Sequence, residues 1–205
     1  MNEPLENSSN RLFKRLFDIV FSVIFIITIF TILFLFVSIG IKLSSKGPIF
    51  FIQKRTGRKN AEFDCYKFRT MAVNGDANSK QAQKNDHRIT SFGKFLRKSN
   101  LDEIPQFINV LKGNMSIVGP RPHMLAHTEQ YSKLIEGYMV RHYVKPGITG
   151  LAQIKGFRGN TTDTRLMKRR VQLDVRYIES WNAFLDTKII FLTVINMIKG
   201  DKNAY

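Results

Sequence analysis

Asp102 and Glu103 are adjacent carboxylates, with Arg97 shortly before them and the turn Gly119-Pro120-Arg121-Pro122 after them. A carboxylate placed among fixed cations can attack a phosphate, because the cations offset the repulsion between two anions. Leu101, Ile104, Phe107, Ile108 and Leu111 recur at three- and four-residue spacing and Gly113 is a natural stop, so the pattern predicts an amphipathic helix over roughly 101–112. Pro105 is tolerated in a first helical turn, which sets Asp102 and Glu103 at or near the N-terminus, where free N–H groups and the dipole favour anions. A structural reading stands beside this one: Asn100 followed by Glu103 resembles a capping box.

Other residues could join the site. Tyr66-Lys67-Phe68-Arg69-Thr70-Met71 interleaves cations with aromatics at a strand end, which suits phosphate or nucleic acid but also an ordinary solvated edge. Pro120 and Pro122 fix the backbone around Arg121, reducing the entropy lost when its guanidinium grips an oxyanion; the alternative is a rigid turn. Asp174 falls on the apolar side of a helix expected near 162–179, beside Met167, Val171, Val175 and Ile178, so it is either a site residue or half of a structural salt bridge. His123 and His127 are four apart, without a third ligand in view, and read as ordinary histidines.

The chain has 205 residues, enough for one domain with a core plus an accessory segment. Its 32 Lys and Arg against 16 Asp and Glu give a formal charge of +16, which points to an anionic partner: nucleic acid, anionic lipid or a phosphorylated substrate. The single Cys65 excludes an internal disulfide and suits a reducing compartment. There is no Walker A loop and no Gly-x-Gly-x-x-Gly.

Residues 1–10 are polar and expected to be disordered. Positions 19–41 then carry no charge, roughly 34 Å of helix at about 1.5 Å per residue, enough to cross a hydrocarbon layer of about 30 Å. Arg11, Lys14 and Arg15 precede this run, and Lys42, Lys46, Lys54, Arg55, Arg58 and Lys59 follow it. The positive-inside rule therefore wants both flanks in the cytoplasm, as in a re-entrant helix bent near Thr28 and Thr31, with a straight span as the alternative. A β-hairpin is expected from residues 49–52 through the turn at 55–60 to 62–68, then a polar loop at 74–88. A short helix capped by Thr90 or Ser91 follows, burying Phe92, Phe95 and Leu96. Met115 to Val118 reads as a short buried strand, 123–136 as a helix, 144–150 as turn-rich with strand character, and 184–199 as a last apolar helix that packs in the core or lies on a membrane surface.

KRLFDIV, KGPIFF, YKFRTM, FGKFLRKSNLDEIPQFINVLKGNMSIVGPRP, VKPGITGLAQ and the helix carrying Asp174 resemble, in order and over nearly the whole chain, the bacterial sugar transferases, which are monotopic phosphoglycosyl transferases acting on polyprenyl phosphate. The likeness is to the catalytic part of undecaprenyl-phosphate glucose phosphotransferases of exopolysaccharide pathways, without the multi-span N-terminal region of the larger members. It implies an α+β fold: a membrane-embedded, re-entrant helix at 11–43, then a small, mostly helical catalytic domain at 44–205 with a short β-hairpin and interfacial helices. It also implies a place at the bacterial inner membrane with that domain facing the cytosol.

By the same resemblance, Asp102 would attack a UDP-sugar as nucleophile and neighbour Mg²⁺, and undecaprenyl phosphate would then take the sugar phosphate. Glu103 would position Asp102 or assist proton traffic. Arg97, Arg121, Lys67 and Arg69 would hold phosphate oxygens, Pro120 and Pro122 would help seat the nucleotide, and Asp174 would support the site. The expected partners are a UDP-sugar, undecaprenyl phosphate and membrane lipid, and no nucleic acid. Two positions depart from the family pattern: Thr31-Ile32 stands where a Ser-Pro pair commonly breaks the membrane helix, and Leu151 stands where Trp is frequent. The rival readings are a membrane-anchored nucleic-acid-binding protein and an inactive relative serving as a scaffold.

Overall fold

The computed structural model describes residues 3–73, 75, 86–159 and 163–199. Ser8–Ser44 forms one continuous 37-residue helix: α1 (Ser8–Phe25), a π-helical stretch (Ile26–Phe30) and α2 (Thr31–Ser44). Asn7 caps it, its side chain accepting from the Ser9 N–H at 2.8 Å. The π stretch lies where threonines bond back to the backbone: Thr28 Oγ1 donates to the Ile24 carbonyl at 2.7 Å and Thr31 Oγ1 to that of Ile26 at 2.9 Å. Such back-bonding perturbs the i→i−4 ladder without breaking it. Residues 3–10, expected to be disordered, are instead folded, with a 3₁₀ turn at Pro4–Glu6 and Leu5 buried in the core.

Both ends of this long helix are tied to the same domain. In its first half, Lys14 pairs with Asp186 at 2.6 Å, and Asp18 accepts from Ser116 Oγ and the Ile117 N–H, both at 3.0 Å. In its second half, Val37 and Ile41 are buried with Phe68, Leu96 and Ile104. Between these anchors, Phe25 stacks on Phe107 with ring centroids 4.1 Å apart. The opposite face is exposed and apolar, including Ile24, Ile27, Ile32, Leu35 and Phe36.

The expected hairpin forms from β1 (Phe50–Thr56) and β2 (Glu62–Phe68), antiparallel with Phe50 opposite Phe68 and Thr56 opposite Glu62. Helix α3 (Ser91–Lys98) is capped by Thr90, whose Oγ1 accepts from the Gly93 N–H at 2.9 Å. A β-carbon on Gly93 would come within 1.9 Å of the Thr70 carbonyl oxygen, so only glycine lets α3 sit directly on that backbone. Leu96 is fully buried there, but Phe95, expected inside, is exposed. Of the loop read at 74–88, positions 74 and 76–85 lie outside the described residues.

The helix expected over 101–112 divides in two. Leu101–Glu103 is a 3₁₀ turn entered through Asn100 at φ 59°, and α4 (Gln106–Lys112) begins only after Pro105. The capping box does not form, because the Glu103 side chain turns to cations instead. Asn109 fixes α4 to the hairpin, its Nδ2 donating to the Asp64 carbonyl at 2.6 Å and its Oδ1 accepting from the Tyr66 N–H at 2.9 Å.

Strand β3 (Ser116–Val118) pairs in parallel with β4 (Gly147–Thr149). The pair continues into the proline turn, where the Gly147 N–H donates to the Pro120 carbonyl at 2.9 Å. Gly119 and Gly147 approach so closely that a β-carbon on Gly147 would meet the Gly119 nitrogen at 2.1 Å. Helix α5 (Leu125–Leu134) is shorter than the sequence suggests, and the single turn α6 (Leu151–Ile154) follows β4. Helix α7 (Thr164–Glu179) buries Met167, Val171, Asp174 and Ile178, as its spacing predicts. Helix α8 (Ala183–Lys199) buries Ile189 and leaves Phe184, Phe191, Val194 and Ile198 exposed.

Candidate active site

Glu103 and Asp102 are neighbours with opposite surroundings. Glu103 is buried and takes three cations: Lys67 Nζ at 2.8 Å, Arg121 Nη2 at 2.6 Å and Arg158 Nη2 at 2.5 Å. Although burial alone would raise its pKa, Arg121, Lys67 and Arg158 hold the carboxyl well below the usual range. Asp102 is half-buried and makes no hydrogen bond or ion pair among the described residues. Burial, followed by the charge on Glu103, raises its pKa, with Lys67, Arg97 and Arg158 pulling the other way. One carboxylate is thus neutralised in place, while its neighbour keeps basic, uncommitted oxygens.

The cations arrive from four parts of the chain. Lys67 comes from β2, and Arg121 from the proline turn. Arg97 comes from α3, its Nε donating to Thr70 Oγ1 at 2.8 Å. Arg158 lies in the turn after α6; sequence reasoning missed it, and the only local signal was a cation in a stretch bounded by Gly156 and Gly159.

Two deeper arginines, also missed, hold the backbone under these groups. Arg141 donates to the Arg121 carbonyl at 2.8 Å and to Asp174 Oδ2 from both Nη2 at 2.8 Å and Nε at 3.1 Å. Arg170 donates to the Gly159 carbonyl at 2.8 Å, next to Arg158, and burial with Arg121 and Arg141 nearby pushes its pKa down to about 10. Between them lies His123, whose Nδ1 is 2.6 Å from Arg141 Nη1; burial and Arg141 hold its pKa well below the ordinary value. His123 therefore acts as a neutral acceptor. Asp174 is the structural half of its two readings: a closed ion pair that reaches the site through the Arg141 bond to the Arg121 carbonyl.

Arg69 does not join the site. Its guanidinium donates to the carbonyls of Ser45, Lys46 and Pro48 and to Ser45 Oγ at 2.6–2.9 Å, clamping the chain where it leaves α2. Part-buried backbone carbonyls in a coil need donors, and this buried arginine supplies them to the segment that follows α2. Pro120 and Pro122 are buried in the turn beneath Arg121.

Among the described residues no three His, Cys, Asp or Glu side chains converge to cage a metal ion. Magnesium commonly takes one or two carboxylates and draws its remaining ligands from substrate phosphates and water. Asp102, with uncommitted oxygens, fits that role; Glu103, occupied by three cations, does not.

A cavity of about 330 Å³ opens beside Glu103. Glu103 and Arg158 line it at one end, Phe25 and Leu33 of the long helix and Ile190 and Val194 of α8 elsewhere. It joins a charged cluster to apolar residues on the domain side of the longest helix.

The profile of a family described as bacterial sugar transferase matches residues 9–200. A UDP-glucose:undecaprenyl-phosphate glucose-1-phosphate transferase of Xanthomonas campestris pv. campestris is 55% identical over 175 residues, covering 84% of this chain and 36% of that protein. A UDP-N-acetylgalactosamine-undecaprenyl-phosphate N-acetylgalactosaminephosphotransferase of Aeromonas hydrophila is 42% identical over 170 residues, covering 82% of this chain and 40% of the relative. An exopolysaccharide production protein PSS of Rhizobium leguminosarum bv. phaseoli is 43% identical over 176 residues, covering 82% of this chain and 86% of the relative. The chain thus spans well under half the length of the first two.

Proposed function

The chain belongs to the bacterial sugar transferase family, and from that membership we propose that it moves a sugar 1-phosphate from a UDP-sugar to undecaprenyl phosphate at the bacterial inner membrane, starting exopolysaccharide, capsule or O-antigen synthesis. The observation that carries this reading is the contrast within the carboxylate pair. Asp102 has free, basic oxygens, while Glu103 gathers Lys67, Arg121 and Arg158 beside it.

In the first step an Asp102 oxygen attacks the β-phosphorus of the UDP-sugar. The bond from that phosphorus to the bridging oxygen breaks, UMP leaves, and the sugar phosphate remains on Asp102 as a mixed anhydride. In the second step a phosphate oxygen of undecaprenyl phosphate attacks the same phosphorus and the bond to Asp102 breaks, giving undecaprenyl-diphospho-sugar and the free carboxylate. Lys67, Arg97, Arg121 and Arg158 stabilise the charge on the transferring phosphoryl oxygens, and Glu103 keeps three of these cations in register. Bound with the nucleotide diphosphate, Mg²⁺ would neutralise phosphate charge with Asp102 as its protein neighbour. The apolar cavity suits the first isoprene units of the acceptor, leading its phosphate towards Arg158.

The long helix favours the re-entrant arrangement, with both flanks on the cytosolic side. A straight span would carry one end to the far side of the bilayer, yet Lys14 and Ile41 both contact the same domain. Engineered cysteines near residues 8 and 60 should both escape an impermeant thiol reagent in intact cells; labelling at residue 8 would indicate a span.

The reaction is tested with purified protein, Mg²⁺ and a UDP-sugar radiolabelled in the sugar. Covalent label should appear before any lipid acceptor is added and be absent from Asp102→Asn. Label persisting in that variant would refute the nucleophile assignment.

A further inference from the structure

The basic residues at the foot of the long helix take no part in the proposed reaction. Arg11, Lys14 and Arg15 of α1 meet Arg58 from the hairpin turn and Lys145 from just before β4 around a small pocket of about 50 Å³. Some of this charge is committed. Lys14 pairs with Asp186, and Arg15 closes the end of α4 by donating to the carbonyls of Val110 at 2.6 Å and Leu111 at 2.8 Å. The rest is not. Arg58 donates only its Nε, to the Tyr143 carbonyl at 2.9 Å, and Lys145 Nζ has neither hydrogen bond nor ion pair among the described residues.

The cations converge. A β-carbon on Gly113 would lie 3.6 Å from both Arg15 Nη2 and Lys145 Nζ, so these two cationic groups lie close together beside the end of α4. The carboxylates lining the pocket are Glu3 and Asp18, and Asp18 already accepts from Ser116 and Ile117. The five cations outnumber the two lining carboxylates and repel one another: burial, then Arg15 and Arg58, lower the Lys145 pKa, although Asp18 pulls the other way. An anion seated between them would relieve that repulsion.

What surrounds the pocket identifies the anion. Leu12, Phe13 and Leu16 on the same helix are 61%, 55% and 53% exposed, and they begin the apolar face that continues through Ile24 and Ile27. We propose that this pocket holds the phosphodiester headgroup of an anionic membrane lipid, with the acyl chains against Leu12, Phe13 and Leu16. The site lies apart from Asp102 and Glu103, and it does not depend on the reaction proposed above.

The test uses the full chain in a non-ionic detergent, titrated separately with phosphatidylglycerol and phosphatidylcholine, with retained lipid counted by native mass spectrometry. One phosphatidylglycerol should be held in preference to phosphatidylcholine. Each basic group near a membrane surface contributes about fivefold to such binding, so Arg58→Gln with Lys145→Gln should weaken it about 25-fold. The exposed pair Lys42→Gln with Lys188→Gln should change it less than twofold, and Lys145→Arg should retain it. Thermal unfolding in lipid-free detergent checks that each variant is folded. Equal losses in both double variants would reduce the effect to diffuse surface charge and overturn the site. So would equal retention of phosphatidylcholine, and displacement of the lipid by an equimolar amount of inorganic phosphate would reassign the pocket to free phosphate.

Discussion

Two buried carboxylates in this protein sit among arginines, and they do different work. Asp174, on α7, pairs with Arg141 almost wholly shielded from solvent. Glu103 has more cations, but its cluster borders a cavity and has Asp102 beside it with unused oxygens. A sealed pair can hold a loop, and an incomplete one can receive a substrate. The comparison teaches that what sets a candidate reaction centre apart from a structural ion pair is the partner its acidic residue lacks.

The sharpest way to break this comparison is to remove the lone carboxylate. Asp102→Asn should lower UMP release by on the order of 10³-fold or more, measured by steady-state assay, while the thermal midpoint stays close to that of the parent. Asp174→Asn should show the reverse emphasis. Leaving Arg141 buried without its anion costs about 3–5 kcal/mol, visible in denaturant unfolding, and loosens the backbone under Arg121. A variant that unfolds no more easily than the parent would place Asp174 outside the structural role.

Glu103→Gln probes the coupling between the neighbours. Burial is the first cause of the raised Asp102 pKa and the Glu103 charge the second, so removing that charge should move the acid limb of the residual pH–rate profile to lower pH. An unmoved limb would mean that Asp102 does not set it. The smallest effect belongs to His123. Its folded pKa lies well below 6.5, so the unfolded chain binds the extra proton first; stability is complete above about pH 6.5 and falls with acid by at most about 1.4 kcal/mol per pH unit. His123→Gln should flatten unfolding free energy against pH over that window.

Much of this was legible in the residues themselves. Periodicity gave the helices carrying Asp174 and Ile189, alternation gave the hairpin, and the stretch from Arg97 to Arg121 contained the carboxylate pair and two of the cations that the fold gathers around it. The failures have a common cause in contacts distant along the chain. Arg69 looks like Lys67 in sequence, but the exit from α2 supplies carbonyls that only the fold brings near. Arg141 and Arg158 stand in stretches with little pattern of their own and find partners far along the chain, while Arg170, on α7, is bonded to the carbonyl of Gly159 in the preceding loop. The divided helix at Pro105 was missed because apolar spacing survives a 3₁₀ turn, whereas a capping box does not survive three competing cations.

The stacking of Phe25 on Phe107 has a mechanical corollary. It lies between the anchors at Lys14 and Ile41, so the greasy helix and the reactive centre move as one float. If the proposed membrane placement holds, the waterline at which lipids settle on that helix fixes how high Asp102 rides, and a thicker or thinner bilayer should shift the rate of the proposed transfer.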